Sequence, residues 1–417
     1  MVNIYYFFVA VVILCCLFKP QYAIYLFTIF FFINPQQFFP DTESAHIVFI
    51  SALILLFGTL SRGFNFIQGK FIGLLLLFIL IVFISILFSG NTFAEGISLW
   101  LELIKVAAFV SVTICFLKTR EEVLTYMRWI VLVSAANGIY ATIEEMSFVL
   151  GLLKQTLGFR TTGFFQNANI LAGILVGNIA FAYFFYTGTS NKKIKLIFSI
   201  CIISMILGVL CSVSRTGLIA LFFAGGCLVY KNIKHFTTFV LVGITIIFFS
   251  YFADALYEQR RTVTETVSGK VVYDHSTQVR LHLMSTALQI WLRYPVFGVG
   301  LTNFSKVATT EMGFRTKLVP HSAFLQILCE TGLVGLVCFI SILIYSLRMA
   351  GRLKSYGDVQ YSELGGYCQI GLIAWIIILC FLSAAIVVPL WFTIALPFNL
   401  DTVYQLEKAS LSNKPNK

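Results

Sequence analysis

Apolar segments recur along almost the whole of this 417-residue chain and constrain its fold more than any other feature. Most are about 15–25 residues long, which lets a helix cross or nearly cross a hydrocarbon layer roughly 30 Å thick. Residues of the set AVILMFWYC form 59% of the chain and charged residues only 11%, whereas a soluble domain is about a quarter charged. The sequence therefore predicts an all-α, polytopic integral membrane protein.

The spacing of these segments predicts about twelve transmembrane helices. Ten spans have clear limits and lie near 46–60, 71–88, 97–117, 124–148, 168–187, 194–211, 215–231, 235–253, 322–347 and 366–388. Residues 1–34 form either a hairpin or one broken span, because Lys19-Pro20 interrupts them. Residues 387–400 form either a last crossing or a re-entrant turn.

Basic residues orient the chain. They give a net charge of +11 and concentrate in alternate connections, as cytoplasmic loops do, so nucleic acid is not needed to explain the charge. The long loop is then predicted to face outward, away from the cytoplasm, and the tail to face the cytoplasm. Four regions follow: N-terminal transmembrane helices at 1–253, the loop at 254–320, C-terminal transmembrane helices at 321–400 and the tail at 401–417.

Sequence motifs for metal and nucleotide chemistry do not occur. The ten cysteines lie in or beside apolar segments, and there is no HExxH motif, Walker A loop or paired Cys/His cluster. We therefore expect an activity that needs no metal and no other cofactor.

An amphipathic helix is predicted at Ser276–Arg293, inside the long loop. Its two opposite stripes are Leu281, Met284, Leu288 and Trp291 on one side, and His282, Thr286, Gln289 and Arg293 on the other. Arg280 falls on the apolar side, where a guanidinium needs an anionic partner.

Three arginines lie at predicted outward edges of the membrane: Arg160, Arg215 and Arg280. Each alone could extend to the interface without further function, but together, on the side that basic residues usually avoid, they indicate a shared anion. A guanidinium binds phosphate oxygens through two parallel hydrogen bonds. Because Arg215 sits in a very short turn between apolar spans, a lipid phosphate or diphosphate is the expected ligand.

His321 follows Pro320 at the start of an apolar span. A helix N-terminus favours the neutral imidazole, which can act as a general base near pH 7, although a purely hydrogen-bonding role is the alternative. Glu144 and Glu145 could line a cavity or supply another base. Asn167 and Asn169 could cap a helix, which is the usual role, or bind sugar hydroxyls.

Four sequence segments between roughly 157 and 397 resemble the superfamily of O-antigen ligases and O-antigen polymerases, which are bacterial inner-membrane glycosyltransferases. They are GFFQNANILAG, SRTGLIAL, VRLHLMSTALQIWLRYPVFGVGLTNF and HSAFLQILCETGLVG. The last is the most specific. Its His321-Ser322, nine residues, Gly332, two residues and Gly335 resemble the ligase pattern of His, then Asn, Ser or Gln, nine residues, Gly, two residues, and Gly, Thr or Tyr.

The resemblance implies transfer of a glycan from an undecaprenyl-diphosphate carrier on the periplasmic face, without metal and with inversion. Arg160, Arg215 and Arg280 would hold the donor diphosphate, and His321 would deprotonate the acceptor hydroxyl. The acceptor would be lipid A–core in a ligase, which we favour, or a carrier-linked repeat in a polymerase. The candidates for contacts with sugars are Asn167, Asn169, His282 and Arg293.

Two other function classes stay open. A transporter or flippase would place its charges along a path through the midplane of inverted repeats, and a scaffold or sensor would need no site. The chain has no evident internal repeat, and its notable charges fall at one membrane face. An enzyme is therefore favoured, with membrane lipids as its surroundings.

The alternation of basic connections predicts the topology. A reporter fused within 254–320 should lie in the periplasm, and a reporter fused at Lys192 should lie in the cytoplasm. Alkaline phosphatase and fluorescent-protein fusions would measure both positions. The opposite pattern would place all three arginines on the wrong face.

Overall fold

The computed structural model describes residues 69–88, 93–152, 160–165, 167–230, 275–312, 319–383 and 385–412, with isolated positions between Lys19 and Phe32. The predicted spans at 46–60 and 235–253, most of 1–34, and loop residues 254–274 lie outside the described residues.

The described part of the chain is built from α-helices and contains no strand. In chain order the helices are α1 Gly69–Leu87, α2 Phe93–Phe116, α3 Arg120–Val149, α4 Ala168–Thr187, α5 Lys192–Cys211, α6 Arg215–Tyr230, α7 His275–Arg293, α8 Phe304–Met312, α9 Ala323–Leu353, α10 Val359–Leu379 and α11 Val388–Ser412. A short 3₁₀ turn, Gly163–Phe165, precedes α4.

Six described helices are long and apolar enough to cross a membrane: α1, α2, α4, α5, α9 and α10. Helix α6 is also apolar but has only 16 residues. The prediction of an all-α, multi-pass membrane protein is confirmed by these helices, while the count of twelve stays a prediction. Helix α10 begins at Val359 rather than 366, because Asp358 accepts hydrogen bonds from the backbone N–H groups of Gln360 and Tyr361 and so caps the helix earlier.

The segment 387–400 belongs to one continuous helix, α11, which extends to Ser412. It is therefore not a re-entrant turn. Most of its first sixteen residues are buried among the other helices, with Trp391 packed against Phe78 and Phe339.

Glycines allow the closest helix contacts. The indole of Trp375 in α10 lies against Gly173 and Gly177 of α4, where an added Cβ would come within 3 Å of the ring. Gly208 of α5 meets Gly138 of α3 at backbone distance, and a Cβ on Gly208 would lie 2.8 Å from the Gly138 Cα. Small residues let helices in a membrane approach and gain van der Waals contact.

Connections fall at two ends of the bundle, because consecutive helices alternate in direction. One end, which we call the site end, contains the α3–α4 and α5–α6 connections and the start of α9. At the opposite end, the guanidinium of Arg120 forms ion pairs with Asp358 at 2.8 Å and Glu407 at 2.7 Å. This cluster fixes α3, α10 and α11 to one another.

Arg120→Gln should lower the free energy of unfolding by about 2 kcal/mol, since it leaves two partly buried carboxylates without their charged donor. The matched control is Arg128→Gln, which removes a solvent-exposed pair with Glu121 and should cost less than about 1 kcal/mol. Thermal unfolding in detergent would measure both variants. Equal losses would mean that the Arg120 cluster does not stabilise the bundle.

Candidate functional site

The first candidate residue, Arg160, holds the turn between α5 and α6. Its Nε donates to the Ser212 carbonyl at 3.3 Å, and its Nη2 donates to the carbonyls of Ser212 at 3.2 Å and Val213 at 3.1 Å. The same Nη2 donates to Asn169 Oδ1 at 3.3 Å. Arg160 therefore connects the entry of α4 to the turn that carries Arg215.

Asn169 and Ser214 complete this connection. Ser214 Oγ donates to Asn169 Oδ1 at 2.7 Å and accepts from the backbone N–H of Gly217 at 3.1 Å. Arg215 is the first residue of α6, and it is exposed. We call Arg160, Asn169, Ser214 and Arg215 the arginine turn.

Asn167 caps α4, as predicted for the usual role of such a residue. Its side chain accepts from the backbone N–H groups of Asn169 at 2.9 Å and Ile170 at 3.2 Å. This gives α4 its start directly beside the arginine turn.

Glu144 and Glu145 anchor the segment that contains Arg160. Glu144 Oε2 accepts from the backbone N–H groups of Thr162 and Gly163, and Glu145 Oε2 accepts from the Thr161 hydroxyl at 2.9 Å. Both carboxylates are therefore engaged in positioning this loop, which argues against the alternative that one of them is the base.

Helix α9 is interrupted at Gly332, whose φ of 70° and ψ of −171° are not helical. In an uninterrupted helix, the carbonyls of Cys329 and Glu330 would accept from Leu333 and Val334. Instead, an external segment, 295–300, supplies the partners for both groups.

The exchange of partners is regular. Val299 and Gly300 donate to the carbonyls of Cys329 and Glu330, each at 2.9 Å. Leu333 donates to Pro295 O at 2.9 Å and Val334 to Val296 O at 3.4 Å. A Cβ at Gly332 would overlap the Val296 carbonyl, and one at Gly298 would lie 2.5 Å from the Glu330 backbone. Glycine is required at both positions for this contact.

The buried Glu330 carboxylate adds to the same attachment. It accepts from Gln326 Nε2 at 3.2 Å and from the backbone N–H groups of Thr302 and Phe304, at the start of α8. These contacts hold the Glu330 side chain within the protein, where it joins α9 to the start of α8.

The predicted loop helix is present as α7, but a different face packs against the protein. The buried residues are Leu283, Thr286, Ala287 and Ile290, whereas Leu281 and Leu288 of the predicted apolar stripe are exposed. Thr286, predicted on the polar side, is also buried. His282 and Arg293 are exposed on the remaining face.

Arg280 and His321 belong to packed elements although 41 positions separate them, because α7 packs against the first half of α9. Both are half-buried. Burial lowers the pKa of His321 below its ordinary value of 6.5, and the nearby Arg280 charge lowers it further. The neutral imidazole expected from the sequence is therefore favoured, but the causes are burial and Arg280.

Three non-glycine residues among those described have a left-handed backbone: Val213, Thr302 and His321, with φ of 49°, 69° and 55°. For β-branched residues this conformation is an outlier, and such strain clusters at functional sites. Val213 directly precedes Ser214 in the α5–α6 connection, Thr302 follows the segment 295–300 that is attached to α9, and His321 directly precedes Ser322, the N-cap of α9. No pattern in the sequence indicates them.

A cavity of about 280 Å³ lies between these parts of the site end. Its wall includes Ile170, which follows Asn169, and Leu301 and Gln326 from the opposite side. The polar wall residues are Gln326, Glu330, Thr331 and Ser383. The first turn of α4 and the first half of α9 thus border one space, which the candidate arginines and His321 do not line.

The sequence-predicted residues therefore form two groups at one end of the bundle. Arg160, Asn169 and Arg215 share the arginine turn, and Arg280 lies beside His321. No group of three His, Cys, Asp or Glu side chains suited to a metal occurs within the described ranges. Guanidinium groups and a neutral imidazole can bind an anion and accept a proton.

Comparison with known proteins identifies one family. Residues 200–340 match the family model described as O-antigen ligase, and this match supports the O-antigen ligase superfamily. The matched region contains Arg215, Arg280, His321 and Gly332. A search of curated proteins finds no match.

Gly332→Ala should destabilise the protein by about 2–4 kcal/mol, because the methyl group would meet the Val296 carbonyl in a left-handed conformation. Gly225→Ala in α6, where the added Cβ meets open space, is the control and should have little effect. Thermal unfolding in detergent would measure this. If both variants unfold at the same temperature, the attachment at Gly332 is not required for stability.

Proposed function

Because residues 200–340 carry an O-antigen ligase domain, we propose that this protein is an O-antigen ligase-type glycosyltransferase of the bacterial inner membrane. It transfers a glycan from undecaprenyl diphosphate to a lipid A–core acceptor at the periplasmic face. The observation that carries the proposal is the packing of α7, the helix of Arg280, against the first half of α9, the helix that follows His321, at the same end of the bundle as the arginine turn.

The arginines account for the donor's leaving group. Arg215 is exposed at the start of α6, and Arg280 lies on α7 near enough to His321 for its charge to act on the imidazole. Their charges stabilise the negative charge that grows on the departing diphosphate, which makes a metal unnecessary. Arg160 acts in part through the turn, since its Nε and Nη2 donate to the Ser212 and Val213 carbonyls.

His321 accounts for activation of the acceptor. Its neutral imidazole accepts the proton of an acceptor hydroxyl while that oxygen attacks the anomeric carbon. The bond from this carbon to the diphosphate breaks with inversion, and the electron pair leaves with the diphosphate. A polymerase would use the same groups on a carrier-linked acceptor, so a ligase is distinguished by its use of lipid A–core.

His321→Ala tests the base directly. Loss of a general base costs a factor of about 10²–10⁴ in rate, so transfer from purified carrier-linked glycan to lipid A–core should fall by that amount while donor binding persists. Gln289→Ala, on the exposed face of α7, is the control and should keep full activity. Turnover by His321→Ala within a factor of about ten of wild type would exclude this role.

Arg280→Gln tests the electrostatic coupling. A lowered pKa keeps His321 neutral, and therefore active, at pH values below its ordinary 6.5. Removing the Arg280 charge raises that pKa, so the acid limb of the kcat/KM profile should move to higher pH. Arg348→Gln, at the opposite end of α9, removes an equal charge and should leave the limb in place. An unshifted limb in Arg280→Gln would mean that the two groups do not interact.

A further inference from the structure

Helix α7 has an exposed apolar stripe on the side opposite the face that packs on the protein. Leu281, Leu288 and Leu292 are 62%, 42% and 69% exposed. At 100° per residue these three side chains lie within about 40° of one another. His282 and Gln289 lie on an adjacent polar face, so the helix has a packed face, an apolar face and a polar face.

The apolar surface continues to the end of a candidate membrane span. Tyr294 and Val296, which follow α7, are about half exposed. Next to them, the ring of Phe297 stacks on Phe88 with centroids 5.7 Å apart and planes 12° apart. Phe88 directly follows Leu87, the last residue of α1. The segment that follows the stripe is therefore attached to the end of α1, a helix long and apolar enough to cross a membrane.

A cationic groove lies at the same level. It has a volume of about 470 Å³ and is lined by apolar and aromatic residues that include Tyr294, Val296 and Val307, together with Lys306. Within the described part of the chain, Lys306 has no ion-pair partner. An ammonium group above apolar walls fits a phospholipid, whose phosphate lies directly above its acyl chains.

We propose that α7 lies in the bilayer interface at the site end, with Leu281, Leu288 and Leu292 among the acyl chains of phospholipids and Lys306 at a headgroup phosphate. A second copy of the chain is a poorer occupant. Three leucines on one helix cover far less than the roughly 800 Å² per partner that a stable interface buries.

Photo-crosslinking tests the position of the stripe. The full-length protein would carry benzoylphenylalanine at Leu288 or Leu292 in vesicles of phosphatidylethanolamine and phosphatidylglycerol. Matched variants would carry it at His282 or Gln289 on the polar face. After irradiation, intact mass spectrometry should detect phospholipid adducts at the two leucine positions and several times fewer at the polar positions.

Three outcomes would overturn the proposal. They are equal lipid adducts on both faces, no adduct at either leucine position, and a cross-linked dimer at Leu292, which would assign the stripe to a second copy. Because all four positions are exposed, thermal unfolding should be unchanged in each variant, and a variant that fails this check is replaced by one at Leu281.

A second measurement addresses the groove. With the cross-linker at Val296, Lys306→Gln should reduce the adducts with anionic phosphatidylglycerol relative to those with phosphatidylethanolamine. An unchanged ratio would exclude Lys306 as a headgroup contact. Neither measurement depends on glycan transfer, so failure here and failure of the proposed function are distinguishable.

Discussion

The hydrogen bonds exchanged at Gly332 hold the site end together. The carbonyls of Cys329 and Glu330 and the N–H groups of Leu333 and Val334 do not bond to one another within α9. All four bond to residues 295–300 instead, so a separate segment of the chain supplies the missing helix hydrogen bonds. Unpaired backbone groups are costly in such surroundings, and only a glycine at 332 lets the two segments approach this closely. Glu330 also binds the start of α8 to α9, because it accepts hydrogen bonds from backbone N–H groups there. Where α7 and Arg280 lie relative to His321 depends on it.

This attachment explains why charge can be arranged so closely at the start of α9. Arg280 beside His321 would be unfavourable if the imidazole were protonated, and the lowered pKa of His321 reflects that cost together with burial. In the arginine turn, carbonyl oxygens and Asn169 receive the Arg160 hydrogen bonds. The guanidinium of Arg160 thus donates to uncharged oxygens of the protein, while Arg215 is exposed. Such an arrangement suits an anion that arrives with a lipid.

Much of the fold could be predicted from sequence, because lipid burial demands long apolar segments that a hydropathy pattern reveals directly. The predicted start of α10 was wrong because a cap at Asp358, rather than hydropathy, fixes where the helix begins, and the helix also ends earlier than predicted, at Leu379 rather than 388. The pattern also indicated Arg280 and His321, since a cation on an apolar face and a histidine after proline are unusual. The packed face of α7 could not be predicted, because the helix carries two apolar faces and hydropathy does not say which one contacts α9. The exchange at Gly332 depends on partners 30 to 38 residues away, which no local pattern encodes.

The most direct test of the account is a structure determined with a glycosylated undecaprenyl diphosphate bound. The account predicts diphosphate oxygens within about 3 Å of the guanidinium groups of Arg215 and Arg280, with His321 facing the anomeric carbon from the side opposite the leaving group. A diphosphate bound away from both arginines, or at the Arg120 end of the bundle, would contradict it.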